Sequence, residues 1–284
     1  MKRNNKNIRE IKMPLKLMYI TNDEKIAKIA ENSGVDWIFI DLEIIGKDKR
    51  QGHLDTVISR HSIDDVSKIK SVLSKSKLIV RINPIYEKSE QEINRVINDG
   101  ADIIMLPFFK TSYEVESFIK FVNGRVETCM LVETPEAVNN LDKILKLKGI
   151  DYIHIGLNDL HLGYKMKFMF EPLANGMVEN IINQIKSYDI PYGFGGIARL
   201  GEGTLRADNI IAEHYRLKSS MVILSRSFCD ASKEKDLNYI ENNFKIGISA
   251  IREYEKSLLN KKSYFFINNQ SIVTKKVNEI VNNI

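Results

Sequence analysis

The sequence predicts a closed (β/α)8 barrel carrying an extra helical segment at its C-terminal end. Three observations lead there. Eight short apolar runs recur along the 284 residues. Each run is followed by an amphipathic stretch with helical spacing. The runs are nearly continuous in Ile, Val and Leu, as expected of strands buried on both faces of a parallel sheet. The length suits one such barrel plus a tail. An open, doubly wound sheet is the remaining topology with the same order of elements.

In chain order, strands are expected at residues 15–20, 37–41, 78–82, 103–106, 127–132, 152–155, 192–194 and 221–224. Helices are expected at residues 22–33, 62–74, 89–99, 112–122, 135–146, 174–187, 205–217 and 233–255. Thr21 is the expected N-cap of the first helix and Gly34 ends it; Gly100, Gly124 and Gly149 stop three others. Two connections are unusually long, residues 42–61 and 157–172. Both follow strands, so both belong to the C-terminal face of a barrel, where long ordered loops carry function. From Lys261 onward, Tyr264, Phe265, Phe266, Val273 and Val277 mark one more helix, docking on the barrel or on a neighbouring subunit. The expected division is a basic arm at 1–14, the barrel at 15–260 and a helical extension at 261–284.

Bulk properties exclude several function classes. The formal net charge is +5, with 43% hydrophobic and 28% charged residues, an ordinary globular composition. Part of that charge lies in Lys2, Arg3, Lys6, Arg9, Lys12 and Lys16, read as a solvated arm. No concentrated basic face with interleaved aromatics is visible, so nucleic acid is not an expected partner. The two cysteines, Cys129 and Cys229, lack zinc-site spacing and are too few for a disulfide scaffold. No apolar run is long enough for a bilayer and no signal-like stretch opens the chain. The expected location is the cytoplasm, with no membrane partner.

Polar residues at the C-terminal ends of barrel strands point into the site. Asp41 and Glu43 follow the second strand, Arg81 ends the third, and Glu133 ends the fifth. Gly156, Asn158 and Asp159 follow the sixth, Gly195, Gly196 and Arg199 the seventh, and Ser225 and Arg226 the eighth. Glu133 and Asp159 come from adjacent strands. Two carboxylates with little His or Cys nearby suit a hard cation such as Mg²⁺. The same pair equally suits acid and base roles or two structural ion pairs. An arginine at the barrel mouth presents a fork suited to a carboxylate, or pairs with Asp41 or Glu43. Gly195 and Gly196 permit close backbone approach to a ligand or simply a tight turn. Together with Arg199, Ser225 and Arg226 they form a candidate anion site.

Five stretches, GVDWIFIDLE (34–43), VRINP (80–84), GADIIMLPFF (100–109), LVETPEAVNNLDKI (131–144) and IDYIHIGLNDLHLGY (150–164), occur in order with consistent spacing. Through them, residues 15 to 230 resemble the HpcH/HpaI aldolase and citrate lyase family of the phosphoenolpyruvate/pyruvate barrel superfamily. The resemblance implies a divalent-metal-dependent carbon–carbon lyase that acts through a pyruvate-type enolate on a small 2-oxo acid. It implies Glu133 and Asp159 as ligands of Mg²⁺ or Mn²⁺, and Arg81 as the contact to the 2-oxo acid and its enolate. It places Gly156 where the backbone meets the substrate carboxylate, and Asp41 and Glu43 as the acidic pair of the second strand. It also implies a homo-oligomer, trimeric or hexameric. One position departs: aldolases of this family carry His directly after the acidic residue of the second strand, whereas this chain has Ile44. His53, His61 and Lys47 in the same connection are candidate substitutes. Two rival readings remain: a barrel acting as a binding or regulatory subunit, and a phosphate-directed aldolase or isomerase.

Overall fold

The computed structural model describes residues 14–47, 61–225, 228–229, 234 and 236–284. The expectations placed on the N-terminal arm, His53 and Arg226 lie outside these residues. Eight parallel strands, β1 (Lys16–Ile20), β2 (Trp37–Asp41), β3 (Lys77–Arg81), β4 (Ile103–Leu106), β5 (Glu127–Val132), β6 (Tyr152–Ile155), β7 (Tyr192–Ile197) and β8 (Met221–Leu224), pair in sequence order. β8 returns to β1, with Lys16 opposite Met221, which closes the barrel and excludes the open sheet. Lys16, one of the basic residues grouped near the N-terminus, begins β1 within the expected first strand and pairs with Asp36 at 3.4 Å.

The period of two in each strand places the site. Trp37 and Phe39 of β2, Ile79 of β3, and Cys129 and Leu131 of β5 fill the barrel interior with Ile103, Met105 and Met221. Their alternate neighbours, among them Ile38, Ile40, Leu78, Val80, Met130 and Val132, pack outward against the helices. Two residues beyond the interior apolar positions come Asp41, Arg81 and Glu133, so the register that buries the core carries these charges to the barrel mouth.

The helices follow the sequence with four corrections. Helix α1 (Glu24–Asn32) is capped by Asp23, whose carboxylate accepts from the N–H groups of Lys25 and Ile26, and not by Thr21. Thr21 accepts from Asp23 one step earlier. α2 (Asp64–Val72), α3 (Ser89–Asn98) and α4 (Ser112–Val122) match expectation, the last opened by a Thr111–Glu114 capping box. The stretch 135–146 is two short helices, α5 (Pro135–Asn139) and α6 (Leu141–Ile144). Asn140 separates them, its amide donating to the carbonyls of Glu136 and Lys110.

The long connection after β6 is not irregular: it contains α7 (Leu157–Gly163) and α8 (Glu171–Ala174), too short for a visible helical period. α9 (Met177–Ile185) then starts at Gly176 and ends in a single 3₁₀ turn. α10 (Ala207–Arg216), α11 (Leu237–Leu258) and α12 (Ser263–Asn282) complete the chain. α12 docks on α10, where Asn269 donates to Glu213 at 2.8 Å and to the Asn209 carbonyl at 3.0 Å while Val273 and Val277 are buried.

Candidate active site

At the mouth, β2 and β3 bring four charges together. Arg81 grips Asp41 with Nε on Oδ1 and Nη2 on Oδ2, both at 2.9 Å. Lys47 donates to the same Oδ2 at 2.5 Å. Glu43 lies 3.5 Å from Arg81 Nε and 3.8 Å from Lys47. The Asp41, Glu43 and Lys47 side chains are buried, and Arg81 rests over the Phe39 ring at 5.6 Å. Burial alone would raise the pKa of Asp41. The field and hydrogen bonds of Arg81, then those of Lys47, outweigh it and hold the carboxyl well below its usual range. Burial would likewise lower Arg81, but Asp41, Glu43 and, last in size, Glu133 hold it above its ordinary value. The field of Glu133 therefore reaches Arg81.

Glu133 and Asp159 line one cleft of ≈ 500 Å³, with Phe108, Thr134, Pro135 and Leu162 among its walls. They are 3% and 5% exposed, so each is presented by buried backbone and not by a loose surface rotamer. Glu133 Oε1 accepts the N–H of Phe108 at 3.0 Å, and Phe108 adopts a left-handed φ of 49° to offer it. Next to Oε2 stands Gly156, where a Cβ would come within 2.6 Å of that oxygen. A side chain where α7 begins would therefore press on Glu133. Asp159 follows in the first turn of α7.

These residues fit a divalent cation. Two nearly buried carboxylates share a cleft, a glycine stands against one of them, and the donor set is all oxygen. Among the described residues no cluster of three or more His, Cys, Asp or Glu forms. A two-carboxylate set leaves positions for water and substrate oxygens.

Other expected residues divide. Gly156 and Asn158 lie half-buried at the start of α7, beside the carboxylate pair. Gly195 and Gly196 lie on β7, Gly195 against Leu157. Arg199 is not drawn into this group: it pairs with Glu202 at 3.2 Å and donates to Asn243 of α11 at 3.3 Å. Ile44 is 61% exposed. Its N–H and that of Ile45 both donate to Asn83 Oδ1, and Asn83 in turn donates to Glu92. His61 Nδ1 accepts the N–H of Asp41 at 3.0 Å, and burial keeps its pKa below the usual value despite Asp41. His161 bonds the Leu157 carbonyl, and His214 bonds Ser219 while stacking on Phe194. Sequence reasoning missed the roles of Asn83 and Phe108. The VRINP stretch contained the first; nothing in a single sequence signals a left-handed Phe.

The sequence profile of the HpcH/HpaI aldolase/citrate lyase family matches residues 16–173, which include Asp41, Arg81, Glu133 and Asp159. The 2-keto-3-deoxy-L-rhamnonate aldolase of Escherichia coli (strain K12) is 27% identical over 205 residues, covering 61% of this chain and 71% of that one. Its counterpart from Shigella sonnei is 26% identical over the same span and shares. Among solved structures, the HpcH/HpaI aldolase from Desulfitobacterium hafniense DCB-2 superposes with a TM-score of 0.60 at 15% identity, covering 84% of this chain and 93% of that one. An HpcH/HpaI aldolase/citrate lyase family protein from Burkholderia cenocepacia J2315 gives 0.60 at 14%, covering 86% and 96%. At such identities the structural likeness speaks for the barrel alone; the profile match over more than half of the chain speaks for descent. The chain belongs to the HpcH/HpaI aldolase/citrate lyase family.

Proposed function

We propose that this protein is a divalent-metal-dependent carbon–carbon lyase that cleaves or forms a bond next to the pyruvate unit of a 2-oxo acid, with Mg²⁺ or Mn²⁺ held by Glu133 and Asp159. The observation that carries the reading is that these two buried carboxylates line one cleft, with Arg81 feeling the charge of Glu133. Family membership supports the lyase class, and the relatives named as 2-keto-3-deoxy-L-rhamnonate aldolases support a 2-oxo acid.

When bound, the cation supplies Lewis-acid polarisation of the substrate's keto and carboxylate oxygens. The chain's own residues do the rest. In the cleavage direction the bond between C3 and C4 breaks, its electron pair enters the pyruvate enolate, and the C4 hydroxyl becomes a carbonyl as its proton passes to solvent water at the mouth. Arg81 has five N–H donors and places two on Asp41. Its Nη1 edge remains for the oxygen on which negative charge grows, a preorganised donor of the kind that stabilises such charge. Gly156 brings the backbone at the start of α7 close to the substrate carboxylate. His61, with Nδ1 occupied by a backbone N–H, carries its proton on Nε2 and acts at this rim as a donor.

The test is exchange of the C3 protons of pyruvate with solvent. Exchange requires Mg²⁺ or Mn²⁺ and falls by roughly 10²-fold or more in Glu133→Gln, the size expected on losing a principal electrostatic stabiliser. Exchange indifferent to both metal and substitution overturns the reading. The exposed Ile44, where the resemblance implies a catalytic His, favours one rival: a binding subunit. That reading requires metal and pyruvate to bind while no exchange occurs.

A further inference from the structure

We propose that His154 is a positioning residue: it fixes a bulge in β7 so that the Gly196 backbone forms the surface against which the half of the substrate beyond the pyruvate unit rests. The substrate half is named on the reading given above.

β7 carries one residue too many. Gly193 pairs with Met221 and Gly196 with Ile223, so three steps on β7 span two on β8. Gly195 absorbs the excess at φ 55°. Its carbonyl is met from β6 by His154 Nε2 at 3.1 Å. A carbonyl only accepts, so Nε2 must carry the proton. His154 is buried, and its other nitrogen, Nδ1, has no hydrogen-bond partner. Burial, opposed by the Gly195 bond and aided by the charge of Arg81, brings the imidazole down to about 4, so it stays neutral. An aliphatic side chain would fill the interior equally well. What only a donor at this place provides is the bond to a buried carbonyl, whose loss leaves that carbonyl unsatisfied.

The bulge is tied to the site. A Cβ on Gly195 would fall 2.8 Å from Leu157, so the bulge lies directly on the turn that leads to Asp159. One residue later, Gly196 is the only residue of β7 that is not buried. A Cβ there would press on the Ile223 carbonyl at 3.3 Å and lie 3.9 Å from the Ser225 side chain, so only a glycine leaves room at this point. Glu133 and Asp159 belong to the β5 and β6 side of the mouth. β7 comes next around the ring, and Gly196 is its least buried residue.

Two measurements test this. In ¹⁵N spectra, the His154 ring should be the neutral Nε2–H tautomer; an Nδ1–H tautomer overturns the proposal. In condensation of pyruvate with glycolaldehyde, His154→Leu should raise KM for the aldehyde roughly tenfold and lower kcat by less than about threefold, the pattern of lost binding and not lost chemistry. Mn²⁺ affinity should be unaltered, and His154→Gln, which keeps an N–H donor, should restore most of the KM. Gly196→Ala tests the same surface while leaving the His154 bond in place and should also raise KM for the aldehyde. Unchanged KM in both His154→Leu and Gly196→Ala overturns the proposal, as does equal loss of kcat and metal affinity in His154→Leu. A wild-type protein that exchanges no pyruvate protons overturns the function proposed above, and the tautomer still decides the His154 bond.

Discussion

Arg81 commits Nε and one Nη2 hydrogen to Asp41, and on the proposed mechanism its Nη1 edge serves the substrate. A lysine carries one point of charge and no second edge. Arg81→Lys should therefore bind Asp41 or stabilise the enolate, but not both, and should lower the pyruvate exchange rate by roughly 10²-fold, with KM for pyruvate changed much less. Away from the mouth, Glu31 shows the same logic in a purely structural role. Its Oε1 accepts the N–H groups of Ser74, Lys75 and Ser76, and Oε2 accepts from Lys28. Burial pushes its pKa up, but Lys28 and the three amides prevail and hold it at about 2 against an ordinary 4.5. A carboxyl depressed on folding adds stability above its unfolded value and loses it as pH falls from about 4.5 toward about 2. Glu31→Gln should cost about 1–3 kcal/mol in urea unfolding at pH 7, with the gap to wild type closing across that window. A gap that is constant with pH contradicts this account.

Among elements, the junction of β6 with α7 bears the most on the site. Gly156 separates an interior strand from the helix that carries Asp159, and any side chain there would strike Glu133 Oε2. Gly156→Ala should fold, since φ at this position is −83°, ordinary for alanine. It should nevertheless weaken Mn²⁺ binding by roughly tenfold or more in calorimetry, because displacing a ligand oxygen by a fraction of an ångström is felt at once by a metal. This junction also marks the limit of what the sequence made legible. Strands such as Trp37–Asp41 and Ile103–Leu106 were readable to the residue, because both faces of a parallel strand are buried and the apolar run has no gaps. The charged ends Asp41, Arg81 and Glu133 were readable for the same reason, by counting forward from the run. α7 was not, because seven residues make two turns and its buried residues Leu157, Leu160 and His161 resemble those of a packed loop. β7 was read short at Phe194, because glycines at 193, 195 and 196 carry no pattern of burial. The contact of Arg199 with Asn243 was not readable, because that neighbour comes from a helix forty-four residues away.

Over the whole molecule, the barrel closes through β1 and β8 and holds β5 and β6 side by side, so Glu133 and Asp159 face one cleft only in the folded state. Unfolding separates them, and a chain with two scattered carboxylates has little affinity for Mg²⁺ or Mn²⁺. A ligand that binds only the folded form stabilises it by RT ln(1 + [L]/Kd), about 2.7 kcal/mol when the free ligand is a hundred times Kd. For a domain of this size each kcal/mol moves the midpoint of thermal unfolding by roughly 2–4 °C, so Mn²⁺ at that excess should raise it by roughly 5–10 °C. Adding oxalate, whose adjacent oxygens imitate the carboxylate and enolate oxygens of pyruvate, should raise it further only when Mn²⁺ is present, because the dianion is expected to bind through the metal. Differential scanning calorimetry of the wild type, Glu133→Gln and Asp159→Asn checks all three parts. Both variants should lose the metal-dependent shift. Their midpoints without metal should stay near the wild-type value, since each substitution keeps the shape of the side chain it replaces. A metal shift that survives both substitutions would place the cation elsewhere on the barrel and separate it from the carboxylate pair at the mouth.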